Sequence, residues 1–116
     1  MTEQKIRKGM IVVREESLII AKALGQVLKI VNVAVDVCDH GSALNTFLET
    51  EPEICIVMDY SERAESAGFP GKKTFKMLKA TAESHQKLIK VGFETCADPD
   101  YLQLPFMVVK LYQLIG

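Results

Sequence analysis

Charged side chains follow two short apolar runs, at positions where the ends of parallel strands could bring them together. Arg14, Glu15 and Glu16 come after the first apolar run of the chain, and Asp59 comes directly after the clearest one. Carboxylates at such an edge can serve as ligands for a hard cation, whereas an arginine among them can pair with a carboxylate instead. The chemistry of the chain therefore depends on whether its fold places these residues at one edge.

The elements that would position these residues alternate between apolar runs and segments with helical periodicity. Strands are predicted at residues 10–13, 31–37, 54–58, 88–93 and 101–104. Helices are predicted at 16–29, 41–51, 73–84 and from Pro105 onward, the last with Val108, Val109, Tyr112 and Ile115 on one stripe. The polar segment 60–72 is predicted to be a long loop. This alternation indicates an α/β fold, a mainly parallel sheet with helices on both faces.

Length and charge exclude several other classes of protein. The 116 residues suit a single domain spanning 1–116, with 48% hydrophobic and 25% charged residues. A net charge of −1 argues against a nucleic-acid partner held by bulk charge. The apolar runs are far shorter than the roughly 20 residues of a membrane span, and the N-terminus shows no secretion signal. We therefore expect a soluble, cytoplasmic protein.

Four motifs in order resemble the receiver domain of two-component response regulators, over nearly the whole chain. They are the segments 12–16 (VVREE), 39–44 (DHGSAL), 56–59 (IVMD) and 100–106 (DYLQLPF). The resemblance implies a flavodoxin-like fold of five strands. It also implies that Asp59 stands at the position of the phosphorylated aspartate, with Mg²⁺ bound by this residue and by acids after the first strand.

The chain departs from the family pattern at three positions. Arg14 replaces the first acid of the pocket, where its guanidinium could form a pair with Asp59 and hold the pocket neutral without metal. Leu104 replaces the lysine that neutralises the phosphoryl oxygens. Thr95 is the candidate for the switch hydroxyl, although in a shifted register Gly92 or Glu94 holds that place. Both histidines, His40 and His85, are interpreted as ordinary.

These departures predict a pseudo-receiver, a protein-interaction domain in signalling that is not an enzyme and needs no cofactor. The alternative is a phosphorylatable receiver, a phosphoprotein in which Asp59 accepts the phosphoryl group. Glu15 and Glu16, together with Asp59, would then bind Mg²⁺. A third hypothesis, a small flavodoxin-like enzyme or cofactor binder, lacks a glycine-rich phosphate loop after the first strand.

The connection between the fourth and fifth strands is too short for the helix that the family places there. Only about six residues separate the two predicted strands, whereas a parallel crossover usually takes a dozen or more. The family's fourth helix is therefore expected to be missing. The last strand could be antiparallel or lie outside the sheet, and the final helix or a second copy could cover the gap. An uncovered apolar strip would favour a homodimer or a protein partner on this side.

Overall fold

Five parallel strands form the central sheet. The computed structural model describes residues 5–106 and 108–116. The strands are β1 (Arg7–Val12), β2 (Val33–Cys38), β3 (Ile54–Val57), β4 (Lys87–Gly92) and β5 (Tyr101–Gln103), in the spatial order β2-β1-β3-β4-β5. Every neighbouring pair is parallel. The predicted α/β, flavodoxin-like architecture is confirmed.

Helices cover both faces of this sheet. They are α1 (Leu18–Ile30), α2 (Ala43–Thr50), α3 (Glu62–Ser66), α4 (Gly71–Thr81) and α5 (Val108–Ile115), and a short 3-10 turn (Glu15–Ser17) precedes α1. The side chains of α1 and α5 share one apolar core with the sheet, and those of α2 and α4 share the other. None of the helices in the described residues is both long and apolar enough to cross a membrane.

Two sequence predictions require correction. The predicted loop 60–72 contains α3, whose first turn is capped by the Ser61 hydroxyl accepting from the Ala64 N–H at 3.0 Å. In α5, Leu111 and Ile115 are buried, whereas Val109 is 63% exposed. The predicted stripe is wrong at Val108, which is 42% exposed, and at Val109, whereas Tyr112 and Ile115 face the core as predicted.

The connection between β4 and β5 is a loop without a helix, formed by residues 93–100. As predicted, the family's helix is missing here, and β5 is nevertheless parallel to β4. Only three residue pairs join the two strands, from Lys90 with Tyr101 to Gly92 with Gln103. The loop therefore has to lead back along the sheet only from the end of β4 to the start of β5. That distance is about two residues of strand, or roughly 7 Å, which a short loop can span.

A buried lysine stands on the face from which that helix is missing. Lys90 is 6% exposed, and its Nζ lies 2.6 Å from Asp98 and 3.2 Å from Asp100, above the rings of Tyr60 and Phe75. We call these five residues the Lys90 cluster. Burial alone would lower the pKa of Lys90, but its bonds to Asp98 and Asp100 raise it above the usual value. The cation is therefore retained at neutral pH.

On the face that carries Lys90, the expectation of an uncovered apolar strip is wrong. The loop 93–100 folds over this face, where Asp98 contacts Lys90 and the Tyr101 hydroxyl donates to the Glu94 carbonyl. Tyr101 is consequently buried, at 4% exposure. Charge pairing with a loop thus replaces the apolar packing that a helix would provide.

We expect the Lys90→Met variant to loosen this loop more than it weakens the whole fold. Methionine keeps the volume, and the freed Asp98 and Asp100 can be hydrated because both are partly exposed. Amide exchange at residues 98–101 should rise roughly tenfold, while the free energy of unfolding should fall by about 1 kcal/mol or less. Lys79→Met, at an exposed position of α4, is the control. Unchanged exchange in residues 98–101 would contradict this role.

Candidate functional site

Asp59 lies at the carboxyl edge of the sheet, two residues after the end of β3. The neighbouring backbone is anchored on both sides, because Met58 N donates to Val12 O and Tyr60 N donates to Val91 O, each at 3.0 Å. Asp59 has φ of 64°, a left-handed conformation that aspartate adopts more readily than most residues. The N-terminus of α4 packs directly on its carbonyl at Gly71. The carboxylate is therefore held in a fixed place.

Arg14 and His40 each contact one of the two carboxylate oxygens of Asp59. Arg14 Nε lies 3.1 Å from Oδ1, and His40 Nε2 lies 3.4 Å from Oδ2. The Arg14 contact is Coulombic, since Nε forms no hydrogen bond within the described chain. A carboxylate only accepts, so His40 Nε2 donates, and in the neutral tautomer Nδ1 accepts from the Thr74 hydroxyl at 2.9 Å.

Local structure fixes both partners of Asp59. Arg14 follows β1 and precedes the 3-10 turn, where Ser17 N donates to its carbonyl at 3.0 Å, and its guanidinium carbon lies 3.6 Å from the centre of the Phe69 ring. His40 follows β2, and the Ser42 N–H donates to the Asp39 side chain at 2.8 Å to close the turn after it. The side chain of His40 is only 7% exposed. The site is thus preorganised by three strand ends and by α4.

Arg14 and His40 together keep Asp59 ionised. Burial by itself would raise the pKa of this carboxyl, but the hydrogen bond from His40 and the charge of Arg14 outweigh it and hold the pKa below its ordinary value. A carboxylate with a lowered folded-state pKa stabilises the fold above its unfolded pKa, and this contribution is lost as the pH falls through the folded value.

We therefore expect Asp59→Asn to be destabilising at neutral pH and less so in acid. At pH 7 the variant leaves Arg14 with only the exposed Glu16 as an anionic partner, at a cost of about 1–3 kcal/mol. As the pH falls from about 4 through the lowered pKa of the folded Asp59 carboxyl, this carboxyl also becomes protonated, so the two free energies of unfolding should converge. Urea unfolding across this range measures the difference. Asp36→Asn, at an exposed position, should follow the native protein throughout, and a difference for Asp59→Asn that does not change with pH would contradict the pairing.

The residues at the site do not fit Mg²⁺, the ion that the receiver resemblance implies. Arg14 places a fixed positive charge against Asp59, and both oxygens of that carboxylate are already engaged. Glu15 is exposed, and Glu16 contacts Arg14 at 3.6 Å instead of Asp59. Among the described residues no three His, Cys, Asp or Glu side chains gather into a group that could hold a metal.

The remaining predicted positions divide between two pockets. Leu104 is buried and lines a cavity of about 480 Å³ beside Asp59, which we call the Asp59 cavity; Arg14, Arg63, Phe69 and Phe93 also line it. Thr95 instead lines a neighbouring pocket with Lys72 and Tyr101. Gly92 and Glu94, the alternatives to Thr95, both face the Asp59 cavity. Thr95 therefore does not line the Asp59 cavity.

Sequence reasoning missed three members of the site. His40 was interpreted as ordinary, yet it is buried and joins Asp59 to Thr74 of α4. Phe69, in the predicted loop, stacks on Arg14. The signal for His40 was its place two residues after a strand end, level with Arg14 and Asp59. No signal in the sequence indicated Thr74 or Phe69, because both contacts depend on how α3 and α4 pack.

Solved structures with a similar fold include response-regulator receiver domains. The CheY-like receiver domain from Methylobacillus flagellatus superposes with a TM-score of 0.71 at 16% identity, covering 97% of this chain and 100% of that one. The receiver domain of Francisella response regulator 1452 gives 0.72 at 14% identity, with 94% and 93% covered. The receiver domain of a modulated diguanylate cyclase from Desulfovibrio desulfuricans gives 0.71 at 16% identity, with 96% and 91% covered.

These likenesses establish the fold. The chain has the fold of a response-regulator receiver domain. No family model and no curated protein matches its sequence.

Proposed function

We propose that this chain is a degenerate receiver, a cytoplasmic protein-interaction domain in signalling that is not an enzyme and is not phosphorylated by the Mg²⁺-dependent route. The observation that carries the proposal is the occupation of both Asp59 oxygens, by Arg14 and by His40. Phosphoryl transfer to this carboxylate would require a free oxygen and a cation to gather charge from the donor. Arg14 neutralises Asp59 but stands where that cation would have to bind.

The substitution at Leu104 supports the same proposal. A lysine at this position would offset the negative charge of a phosphoryl group, whereas Leu104 is buried in the apolar core beside the cavity. Lys90 does not substitute for it, because its ammonium faces the opposite side of the sheet and is bonded to Asp98 and Asp100. A phosphoryl group on Asp59 would therefore lie against an apolar wall.

Acetyl phosphate with Mg²⁺, followed by intact-mass measurement, tests the proposal directly. We expect no mass increase on the native chain. Uptake of one phosphoryl group that is lost in Asp59→Asn would overturn the proposal and favour a phosphorylatable receiver. A receiver domain that takes up phosphate from acetyl phosphate, treated in parallel, shows that the donor is active.

We propose further that output runs through a protein contact on the side formed by β4, β5 and α5. Phe93, directly after β4, is 64% exposed, and Val108 and Val109 are exposed in the first turn of α5. Exposed apolar side chains are typical of protein-binding surfaces. A second copy of the chain is the partner that we propose.

Light scattering of the native chain and of Val109→Lys at micromolar concentrations measures this contact. We expect the native chain to associate and Val109→Lys to be monomeric, with Ile30→Lys, at an exposed position at the far end of α1, as the control. A native chain that stays monomeric would contradict a homodimer.

A further inference from the structure

We propose that the Asp59 cavity binds a small organic carboxylate with an aromatic or aliphatic body. At about 480 Å³ the cavity falls in the size range of small-molecule sites. The inference goes beyond the proposed function, from which it takes only the pairing of Asp59 with Arg14. It assigns a ligand class to a space that the proposed function leaves without one.

The interior of the cavity favours an apolar body. Met58, Ala64, Phe69 and Leu104 contribute its apolar walls. The charge of Asp59 in this interior is offset by Arg14 and His40, so the interior offers no free cation to an anionic group. Burying an apolar group against these walls stabilises binding by about 25 cal/mol per Å² removed from water.

The mouth of the cavity favours a carboxylate. Arg63 lines the cavity and is exposed, and its guanidinium forms no ion pair within the part of the chain that the structure describes. Guanidinium groups bind carboxylates through two parallel hydrogen bonds. The ligand should therefore lie with its carboxylate outward at Arg63 and its body inward against Leu104.

Glu94 provides an internal check on this orientation. Its Oε1 accepts from the Arg63 backbone N–H at 3.2 Å, so it holds a negative charge on the same rim. A like charge close to the carboxylate weakens binding, and removing it should strengthen binding. Glu94→Gln should therefore bind an organic carboxylate about threefold more tightly.

The test is an NMR titration of the native chain with 3-phenylpropionate, with its uncharged amide, and with inorganic phosphate, without Mg²⁺ or phosphodonor. We expect 3-phenylpropionate at millimolar concentration to shift the amides of Ser61, Arg63, Gly92 and Phe93, and phosphate to leave them unchanged. Arg63→Gln should weaken 3-phenylpropionate about three- to tenfold and leave the amide unaffected, whereas Lys76→Gln, at an exposed position of α4, should change neither.

Filling the cavity tests its interior. Ala64→Leu should abolish binding of both 3-phenylpropionate and its amide, and the unperturbed parts of its spectrum report that it is folded. Equal binding of acid and amide, shifts spread over surface lysines, or no shifts at all would overturn the inference. Those outcomes leave the proposed function untouched, because it is tested separately by phosphoryl uptake at Asp59.

Discussion

A chain in which aspartate replaces Arg14 and lysine replaces Leu104 is expected to gain Mg²⁺-dependent binding of beryllofluoride. The first change replaces a fixed cation beside Asp59 with a second carboxylate, and the second supplies a positive charge at a buried apolar position. By Coulomb's law, a two-unit change in charge about 6 Å from a divalent cation is worth about 3 kcal/mol at the dielectric constant of water. That corresponds to roughly a hundredfold in affinity.

The fluorescence of Tyr60, next to Asp59 in the chain, reports this binding. NMR spectra can confirm that beryllofluoride is bound. The native chain and Leu104→Lys alone should show no response to beryllofluoride and Mg²⁺, and Arg14→Asp alone should show a weak one. Adding Asp59→Asn to the double variant should remove the response. A native chain that already responds would show that Arg14 does not keep the cation out.

Gly71→Ala is expected to be among the most destabilising single substitutions at the site. A Cβ at Gly71 would overlap the backbone carbonyls of Met58 and Asp59, which cannot move without disturbing the end of β3. Overpacking of this kind costs about 2–3 kcal/mol. Because Thr74 lies one turn further along α4, the same displacement would also loosen the hydrogen bond between Thr74 and His40.

Urea unfolding of Gly71→Ala measures this cost, and Gly25→Ala in α1 is the matched control. A Cβ at Gly25 would meet nothing within 4 Å, and alanine in a helix interior is favoured over glycine by about 0.5–1 kcal/mol. The two substitutions should therefore change stability in opposite directions. Equal effects would contradict the close approach of α4 to Asp59.

The order of strands and helices could be predicted from the sequence because buried parallel strands form continuous apolar runs. The run 54–58 predicted β3 and placed Asp59 at its carboxyl end, and the receiver resemblance placed Arg14 beside Asp59, where opposite charges could pair as they do in the structure. The direction of β5 could not be predicted from the loop length. Its three-residue pairing with β4 shortens the return path, and the sequence does not reveal how long a pairing will be.

Other features depend on packing that the sequence indicates less clearly. Lys90 interrupts the apolar run 88–93, and a cation inside a buried strand predicts acidic partners such as Asp98 and Asp100. That signal could have indicated how the face without a helix is covered. For His40 the sequence indicated only a place at the sheet edge, and its hydrogen bond to Thr74 could not have been deduced because it depends on the position of α4.

The central claim is that Asp59 is an anion already paired by Arg14 and His40. The most direct measurement is the pH titration of its side-chain carboxyl carbon by NMR, with and without Mg²⁺. We expect a midpoint below the ordinary aspartate value of 3.8 and no effect of millimolar Mg²⁺ on the resonance. A midpoint at or above that value, or a resonance shifted by Mg²⁺ at neutral pH, would contradict the account.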